Sequence, residues 1–201
     1  MLTTIAELEA LYGEPNERAV RKEISYVNDA YRRFIELSPF VVLSTAGPDG
    51  LDCSPRGDAP GFVRVVDERT LALPDRPGNN RVDSLRNVVE TQHVALLFIV
   101  PGVGETLRVN GRGRIDNDPA LLERFAVDGK LPRSVLTIDV DAVYFHCSKA
   151  MVRSQLWDPA RHVERSQLPS AGEMLRSVGG EPFDANAYDA GLAQRIKATL
   201  Y

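Results

Sequence analysis

Short β-rich runs follow one another from residue 39 to residue 147, and their order constrains the fold more than any other feature of the chain. The runs are joined mostly by turn residues, such as the Gly47-Pro48-Asp49-Gly50 cluster, without repeated strand–helix–strand units. This pattern predicts about eight strands and two short helices, in an antiparallel barrel or, as the alternative, a β-sandwich. The predicted strands cover residues 40–45, 51–56, 62–66, 70–73, 94–100, 106–115, 134–141 and 142–147, and the helices begin at Val82 and at Asp118.

Helical spacing predicts helices on both sides of the strands. Thr4 and Glu7 have the spacing of a capping box, and so do Ser170 and Glu173 near the other end of the chain. Apolar side chains recur at helical spacing between residues 17 and 37, with Asn28 at the position where a break is expected. We therefore divide the chain into an N-terminal helical extension (1–37), a barrel domain (38–147) and a C-terminal helical segment (148–201).

The chain is acidic, yet its basic residues are mostly arginine. The net charge is −4, and 20 of the 24 basic residues are arginine, whose rigid fork of donors suits phosphate and carboxylate groups. No tract is dense in Lys and Arg, which excludes a general nucleic-acid binder, because such proteins need a basic face. The question is therefore which arginines bind a ligand and which belong to the solvated surface.

Several other classes of protein lack support in the sequence. No apolar run approaches the roughly 20 residues of a membrane span, and the first residues lack the basic region of a signal peptide, so we expect a cytoplasmic protein that does not bind membranes. Cys53 and Cys147 are expected to be reduced thiols. His93, His146 and His162 do not have ligand spacing, so no metal site is expected. Nucleophile-elbow, P-loop and dinucleotide-binding motifs are also absent.

The first polar segment that could bind a ligand covers residues 53–58, where Pro55 and Gly57 flank Arg56. Because strand interiors rarely contain Pro and Gly, the segment indicates a bulge or a close approach of the backbone by a ligand. The alternative is an edge strand that Pro55 and Arg56 protect from aggregation.

The second segment, residues 74–85, leaves a strand through a loop rich in Pro and Gly and then enters a helix. A helix N-terminus has free N–H groups and the positive end of the helix dipole, so it attracts anions. Arg81, with the side chains of Asn79, Asn80 and Ser84, would add donors, and phosphate is the natural ligand. The alternative is an ordinary turn closed by an Asn or Asp cap.

The third segment, residues 148–157, combines two cations with the only tryptophan of the chain. Lys149, Arg153 and Trp157 are spaced four residues apart, which places them on one face of a helix. The indole would cover a flat ligand or lie at a subunit interface, or alternatively close a minor core.

Taken in order, these segments resemble the FMN-binding split-barrel proteins of the pyridoxamine 5'-phosphate oxidase-like superfamily, and within it a bacterial subgroup of flavoproteins. The resemblance extends over about residues 38 to 160 and is specific, because separate motifs occur in the right order. The matching stretches are residues 54–63, 70–87, 104–112 and 149–159.

The resemblance implies a mainly β fold with α additions: an antiparallel split β-barrel of six strands with extra strands, flanked by N- and C-terminal helices. It implies a homodimer with two FMN sites at the interface, against which the C-terminal segment packs. Arg81 would hold the phosphate, with Asn79, Asn80 and Ser84 beside it. Ser54 and Arg56 would lie along the flavin or its phosphate, and Thr106 near the ring. Lys149, Arg153 and Trp157 would come from the opposite subunit.

The sequence also departs from the vitamin-forming oxidases of this superfamily. Their Ser-Arg-Lys triplet is here Asn79-Asn80-Arg81, and their C-terminal substrate-binding segment has no counterpart. The resemblance therefore implies an FMN-dependent oxidoreductase for another small molecule. The alternatives are a non-catalytic flavin store or sensor, or a split barrel that binds the deazaflavin F420 or haem. His146 and Cys53 are the remaining candidates for acid–base chemistry, and His146 for a haem ligand.

Overall fold

The strands form one antiparallel sheet in the computed structural model, which describes residues 1–180 and 182–201. Within these residues the strands are β1 (Phe40–Gly47), β2 (Gly50–Gly57), β3 (Arg64–Asp67), β4 (Thr70–Asp75), β5 (His93–Ile99), β6 (Thr106–Asp116) and β7 (Ser134–His146). Their order across the sheet is β2-β1-β5-β6-β7-β4-β3. Gly47 pairs with Gly50, so Pro48 and Asp49 form the two-residue loop of the predicted first hairpin.

The last two predicted strands are a single long strand, so the prediction of eight strands was wrong. Val140 pairs with Gly111 and Ala142 with Asn110, which leaves Asp141 as the extra residue of a β-bulge. The bulge interrupts the alternation of apolar and polar residues at the point where a strand boundary was predicted. It also brings the backbones together, because a Cβ on Gly111 would lie 2.1 Å from the Asp139 carbonyl oxygen.

Helices precede the sheet, interrupt it twice and follow it. Before the sheet, the stretch 17–37 divides as expected, because the Asn28 side chain caps a new helix by accepting a hydrogen bond from the Tyr31 N–H. Both predicted capping boxes are present, at Thr4 and at Ser170. The helices are α1 (Ile5–Tyr12), α2 (Glu17–Arg21), α3 (Asp29–Leu37), α4 (Asp83–Thr91), α5 (Pro119–Glu123), α6 (Lys149–Ser154), α7 (Ala171–Ser177), α8 (Ala185–Ala190) and α9 (Leu192–Thr199).

One face of the sheet, here the inner face, carries the core. Val41, Phe98 and Leu107 pair across β1, β5 and β6 and are fully buried. Helix α4 packs across this face, where the Asn87 amide donates to the Thr45 hydroxyl at 3.1 Å. The start of α4 is therefore fixed relative to β1 and its edge neighbour β2.

The opposite, outer face carries apolar side chains that remain half-buried or, at Phe40, exposed. Val42 pairs with Leu97, and Phe40 pairs with Ile99, on the side of the strands away from α4. None of these four residues belongs to the buried clusters that the described residues form. The outer face (Phe40, Val42, Leu97 and Ile99) is thus an apolar surface of the sheet that the described residues do not bury in a hydrophobic core.

The sheet curls but does not close, so the predicted barrel is confirmed only as an antiparallel sheet with helices. Among the described residues, β2 has no backbone pairing with β4. Two ion pairs join these strands instead: Arg56 on β2 with Asp75 on β4 at 2.5 Å, and Arg76 after β4 with Asp58 after β2 at 2.9 Å. We call these four residues the seam. Their side chains are 3% to 22% exposed, so the seam is largely desolvated.

Asp58 makes the seam sensitive to acid. Burial raises the pKa of its carboxyl, but hydrogen bonds from Tyr201, the Ala59 N–H and Arg76 outweigh this and hold the pKa below its ordinary value of 3.8. A lowered pKa in the folded state means that the carboxylate stabilises the fold above its unfolded pKa, and that this stability is lost as the pH falls through the folded pKa.

We therefore expect Asp58→Asn to lower the free energy of unfolding at neutral pH and to weaken its dependence on pH below about 4. Urea unfolding at a series of pH values measures both effects. Equal pH slopes for the variant and the wild-type protein in the acid range would contradict this role of Asp58.

The described residues contain no helix that is both long and apolar enough to span a membrane. They also contain no group of three or more His, Cys, Asp and Glu side chains suited to a metal ion.

Candidate anion-binding site

A cavity of about 340 Å³ opens between β2, the end of β4 and the start of α4, and we call it the α4 cavity. Six of the ten predicted site residues line it: Ser54, Arg56, Asn79, Asn80, Arg81 and Ser84. Its size lies in the range of small-molecule sites. The first and second polar segments of the sequence therefore meet in space, because the fold sets β2 against the loop that precedes α4.

The floor of the cavity is a chain of hydrogen bonds between side chains. Arg56 donates from Nη1 to Asp75 at 2.5 Å and from Nε to the Ser54 hydroxyl at 3.3 Å. The Ser54 hydroxyl lies 3.0 Å from that of Ser84, which in turn donates to Asp52. Because Ser84 is buried, these bonds hold the first turn of α4 against β2.

This network also decides between the two interpretations of the segment 53–58. The strand β2 lies at the edge of the sheet, as the alternative proposed, and Pro55 sits in it. Its Arg56 nevertheless lines the cavity, where Asp75 already neutralises its charge. Arg56 is thus first a residue that joins β2 to β4, and only its remaining N–H groups are available to a ligand.

The loop before α4 presents its donors to solvent. The Asn79 side chain accepts the Arg81 N–H at 3.0 Å, and Asn80 adopts a left-handed φ of 59°. The Arg81 side chain is 78% exposed and donates from Nε to Asp83 at 2.6 Å. This hydrogen bond and the charge of Asp83 raise the pKa of Arg81, which keeps it cationic.

The N-terminus of α4 lacks a side-chain cap. Its N-cap residue is Val82, and no side chain hydrogen-bonds there, so the alternative interpretation, a turn closed by an Asn or Asp cap, was wrong. The first N–H groups of an α-helix have no partner within the helix and carry its positive end charge. At the α4 cavity these groups therefore add to the attraction for an anion.

The charges that line the cavity sum to a small positive value. Four arginines and three aspartates contribute, and no histidine or lysine is among them. The predicted residues omitted Arg76, Arg133, Asp52, Asp75 and Asp83. Arg76 and Asp75 lie in the segment that was singled out and could have been chosen. Arg133 precedes β7 and donates to Asn80 at 2.7 Å across a long sequence separation, which nothing local in the sequence indicates.

The other four predicted site residues lie outside the α4 cavity. Thr106 begins β6 between Ile99 and His146, and it is buried. The Trp157 indole donates to the Val103 carbonyl of its own chain at 2.8 Å, in the loop just before Thr106. The list is completed by Lys149 and Arg153, which are exposed on α6. This helix ends at Ser154, so the prediction that Trp157 lies on the same helix face as these two residues was wrong. The third polar segment therefore lies beside the end of the sheet where β6 begins.

His146 lies on the outer side of β7 beside Tyr144, with the ring centroids 5.2 Å apart. Its Nε2 is buried and has no hydrogen-bond partner among the described residues. Burial, with the nearby charges of Arg108 and Lys22, lowers the pKa of His146, so the imidazole is neutral near pH 7. It does not line the α4 cavity, and neither does the exposed Cys53.

Comparison with known proteins agrees with this fold. The family model described as pyridoxamine 5'-phosphate oxidase matches residues 27–147, which hold α3 and all of the strands described above. The chain belongs to the pyridoxamine 5'-phosphate oxidase family, which confirms the superfamily that its motifs resemble. No curated protein matches the chain.

Several solved structures are similar to part of the chain. HupZ of Group A Streptococcus is 16% identical, with 58% of this chain and 91% of that chain covered and a TM-score of 0.47. General Stress Protein 26 of Bacillus anthracis is 16% identical, with 56% and 88% covered and a TM-score of 0.43. A protein of Clostridium acetobutylicum related to general stress protein 26 is 16% identical, with 57% and 84% covered and a TM-score of 0.43.

Proposed function

We propose that this chain binds FMN in the α4 cavity and works as an FMN-dependent oxidoreductase on a small molecule. The observation that carries the proposal is the uncapped N-terminus of α4, which opens into a cavity lined by four arginines and two serines. These are donors that suit a phosphate monoester. Membership of a family whose proteins commonly bind flavins supports the choice of FMN.

The residues that line the cavity have different roles in binding the ligand. Arg81 and the first N–H groups of α4 would hold the phosphate, because the Arg81 side chain is largely exposed and no side chain caps these N–H groups. Arg133 would keep Asn80 and the loop in place. Ser54 and Arg56 form the wall along which the rest of the ligand extends. When FMN is bound it supplies the hydride or electron chemistry, and the protein binds it, orients it and excludes water.

A homodimer is part of this proposal, with the outer face as the contact between two copies. An apolar sheet surface that stays half-buried in one chain is the kind of surface that a stable interface covers. Thr106 has its side chain on this face, and Trp157 is bonded to the loop next to it. In a dimer the partner would therefore bring Thr106, Lys149, Arg153 and Trp157 toward the neighbouring site.

The affinity for FMN compared with that for riboflavin tests the binding site. We expect FMN to bind with quenched flavin fluorescence and a shifted visible spectrum. Riboflavin, which lacks the phosphate, should bind at least tenfold more weakly, as expected when charged hydrogen bonds are lost. The absence of any flavin signal would reject the proposal, and equal affinities would place the phosphate elsewhere.

Turnover separates the enzyme from a flavin store or sensor. Reduction of bound FMN by NADH or NADPH, followed by stopped-flow absorbance, is expected for the oxidoreductase. An FMN complex that no donor reduces would favour the store or sensor. Binding of F420 or haem in place of FMN, the latter with a Soret band, would favour the remaining alternatives.

Leu97→Glu is expected to convert the homodimer to a monomer, because it places a carboxylate in the centre of the outer face. Sedimentation equilibrium measures the mass. Val89→Glu is the matched control, since Val89 is 73% exposed on α4, away from the outer face, and should leave the mass unchanged. A dimer that persists in Leu97→Glu, or a monomeric wild-type protein, would contradict the assignment of this face.

A further inference from the structure

The last part of the chain returns to the seam. Helix α8 follows Asp184, whose side chain caps it, and α9 follows α8 directly after Gly191. Helix α7 packs against α8, and Gly172 donates its N–H to Asp189 at 2.8 Å. We call α8, α9 and Tyr201 the C-terminal strap. The strap packs mainly on α7, yet its final residue contacts Asp58 and Arg76, the residues that follow β2 and β4.

Tyr201 is bound at the seam by two contacts. Its hydroxyl donates to Oδ1 of Asp58 at 2.6 Å, and the Arg76 guanidinium lies 5.4 Å from the centroid of its ring. The hydrogen bond to Asp58 is the main reason why the pKa of Tyr201 is raised, so the phenol stays protonated near neutral pH and can donate. The strap is therefore anchored by a specific polar contact as well as by contact with the aromatic ring.

Arg76 lies at the centre of these contacts and lines two cavities, the α4 cavity and a smaller one that its partners Asp58 and Phe125 also line. Its Nε donates to Oδ2 of Asp58 at 2.9 Å, and its Nη1 donates to the Phe125 carbonyl at 2.8 Å. Nη2 has no hydrogen-bond partner within the described part of the chain. A guanidinium held at two nitrogens has a fixed plane, so its third nitrogen is oriented in advance.

We propose that Tyr201 is a positioning residue that, through Asp58, fixes Arg76 as a donor for the anionic group of the ligand in the α4 cavity. This inference rests on the proposed function and adds to it a link between the C-terminal strap and ligand binding. Asp58 accepts from Arg76 at Oδ2 and from both Tyr201 and the Ala59 N–H at Oδ1, and its side chain is only 3% exposed. Without the phenol, Oδ1 would keep only the Ala59 N–H, so the carboxylate that orients the Arg76 guanidinium would be held less firmly.

Tyr201→Phe tests this inference, because it removes the hydroxyl and keeps the ring. We expect the dissociation constant for FMN to rise about three- to tenfold, the effect of one hydrogen bond, and the dissociation constant for riboflavin to stay the same. Amide hydrogen exchange should become faster in α9 and around Ala59. Tyr188→Phe is the matched control on α8, since the Tyr188 hydroxyl donates no hydrogen bond to the described residues, and it should change neither quantity.

Each other outcome overturns the inference. Faster exchange with unchanged FMN affinity would mean that Tyr201 anchors the strap without positioning Arg76. An equal loss of affinity for FMN and riboflavin would indicate general loosening of the cavity. If the wild-type protein does not bind FMN, the proposed function fails. Binding of inorganic phosphate, measured by calorimetry, then replaces the FMN titration as the test of this inference. Weaker phosphate binding by Tyr201→Phe then supports the inference, and unchanged or absent phosphate binding overturns it.

Discussion

Arg56→Met is expected to lower the free energy of unfolding by about 2 to 4 kcal/mol, because it leaves the largely buried carboxylate of Asp75 without its cation. The variant also removes the donor to Ser54, and with it one end of the hydrogen-bonded floor under the α4 cavity. Since β2 and β4 share no backbone pairing, side chains alone hold this side of the sheet together. Urea unfolding of the two proteins at neutral pH measures the difference.

Two further variants make this prediction specific to the seam. Arg33→Met breaks the exposed ion pair with Glu36, whose atoms are 3.8 Å apart, and should change stability by no more than about 0.5 kcal/mol. Adding Asp75→Leu to Arg56→Met removes the unpaired carboxylate and should restore part of the loss. If Arg56→Met and Arg33→Met cost the same, the seam does not depend on its ion pair.

Arg81→Ala is expected to weaken FMN binding by about 1.5 to 3 kcal/mol, or roughly 10- to 150-fold, the range for hydrogen bonds to a charged group. The Arg81 side chain is mostly exposed and, among the described residues, its side-chain partner is Asp83, two residues further along the chain, so the fold should keep its stability. Titration of flavin fluorescence gives the affinity. The loss should vanish for riboflavin, because riboflavin has no phosphate for Arg81 to contact.

Arg86→Ala provides a control with the same change of charge. Arg86 is exposed on α4 and does not line the α4 cavity. We expect Arg86→Ala to leave the FMN affinity within about twofold of the wild-type value, since an exposed charge that makes no contact with the ligand is screened by salt. A comparable loss in both variants would show that net charge, and not a contact from Arg81, attracts the ligand.

Much of the candidate site was predictable because its parts are local in the sequence. Asn79, Asn80 and Arg81 lie in the loop before α4, and Ser84 lies in its first turn, so their proximity follows from the chain itself. Arg56 was recognisable because Pro and Gly flank it in a strand. Arg133 was not predictable in this way, since it reaches the cavity from the position before β7, and Asp52 was missed because it lies on β2 just outside the segment 53–58.

The limits of the fold prediction have a similar cause. Hairpin turns and alternation identified the strands, because both depend on neighbouring residues. The division of β7 into two was wrong because the bulge at Asp141 depends on its partner strand β6, where Gly111 lets the backbones approach. Whether the sheet closes into a barrel is likewise decided by residues that lie far apart in the chain.

By itself, then, the sequence determined most of the antiparallel strands, the two capping boxes and the cluster of donors before α4, since each of these depends on residues a few positions apart. The tertiary structure alone decided that Arg56 is neutralised by Asp75, that Arg133 supports the loop, and that Tyr201 meets Asp58 and Arg76 at the seam. The physical reason is that a charge acquires its role from the groups that desolvate and pair with it. Those groups come from strands and loops that are far apart in the sequence but close together in space.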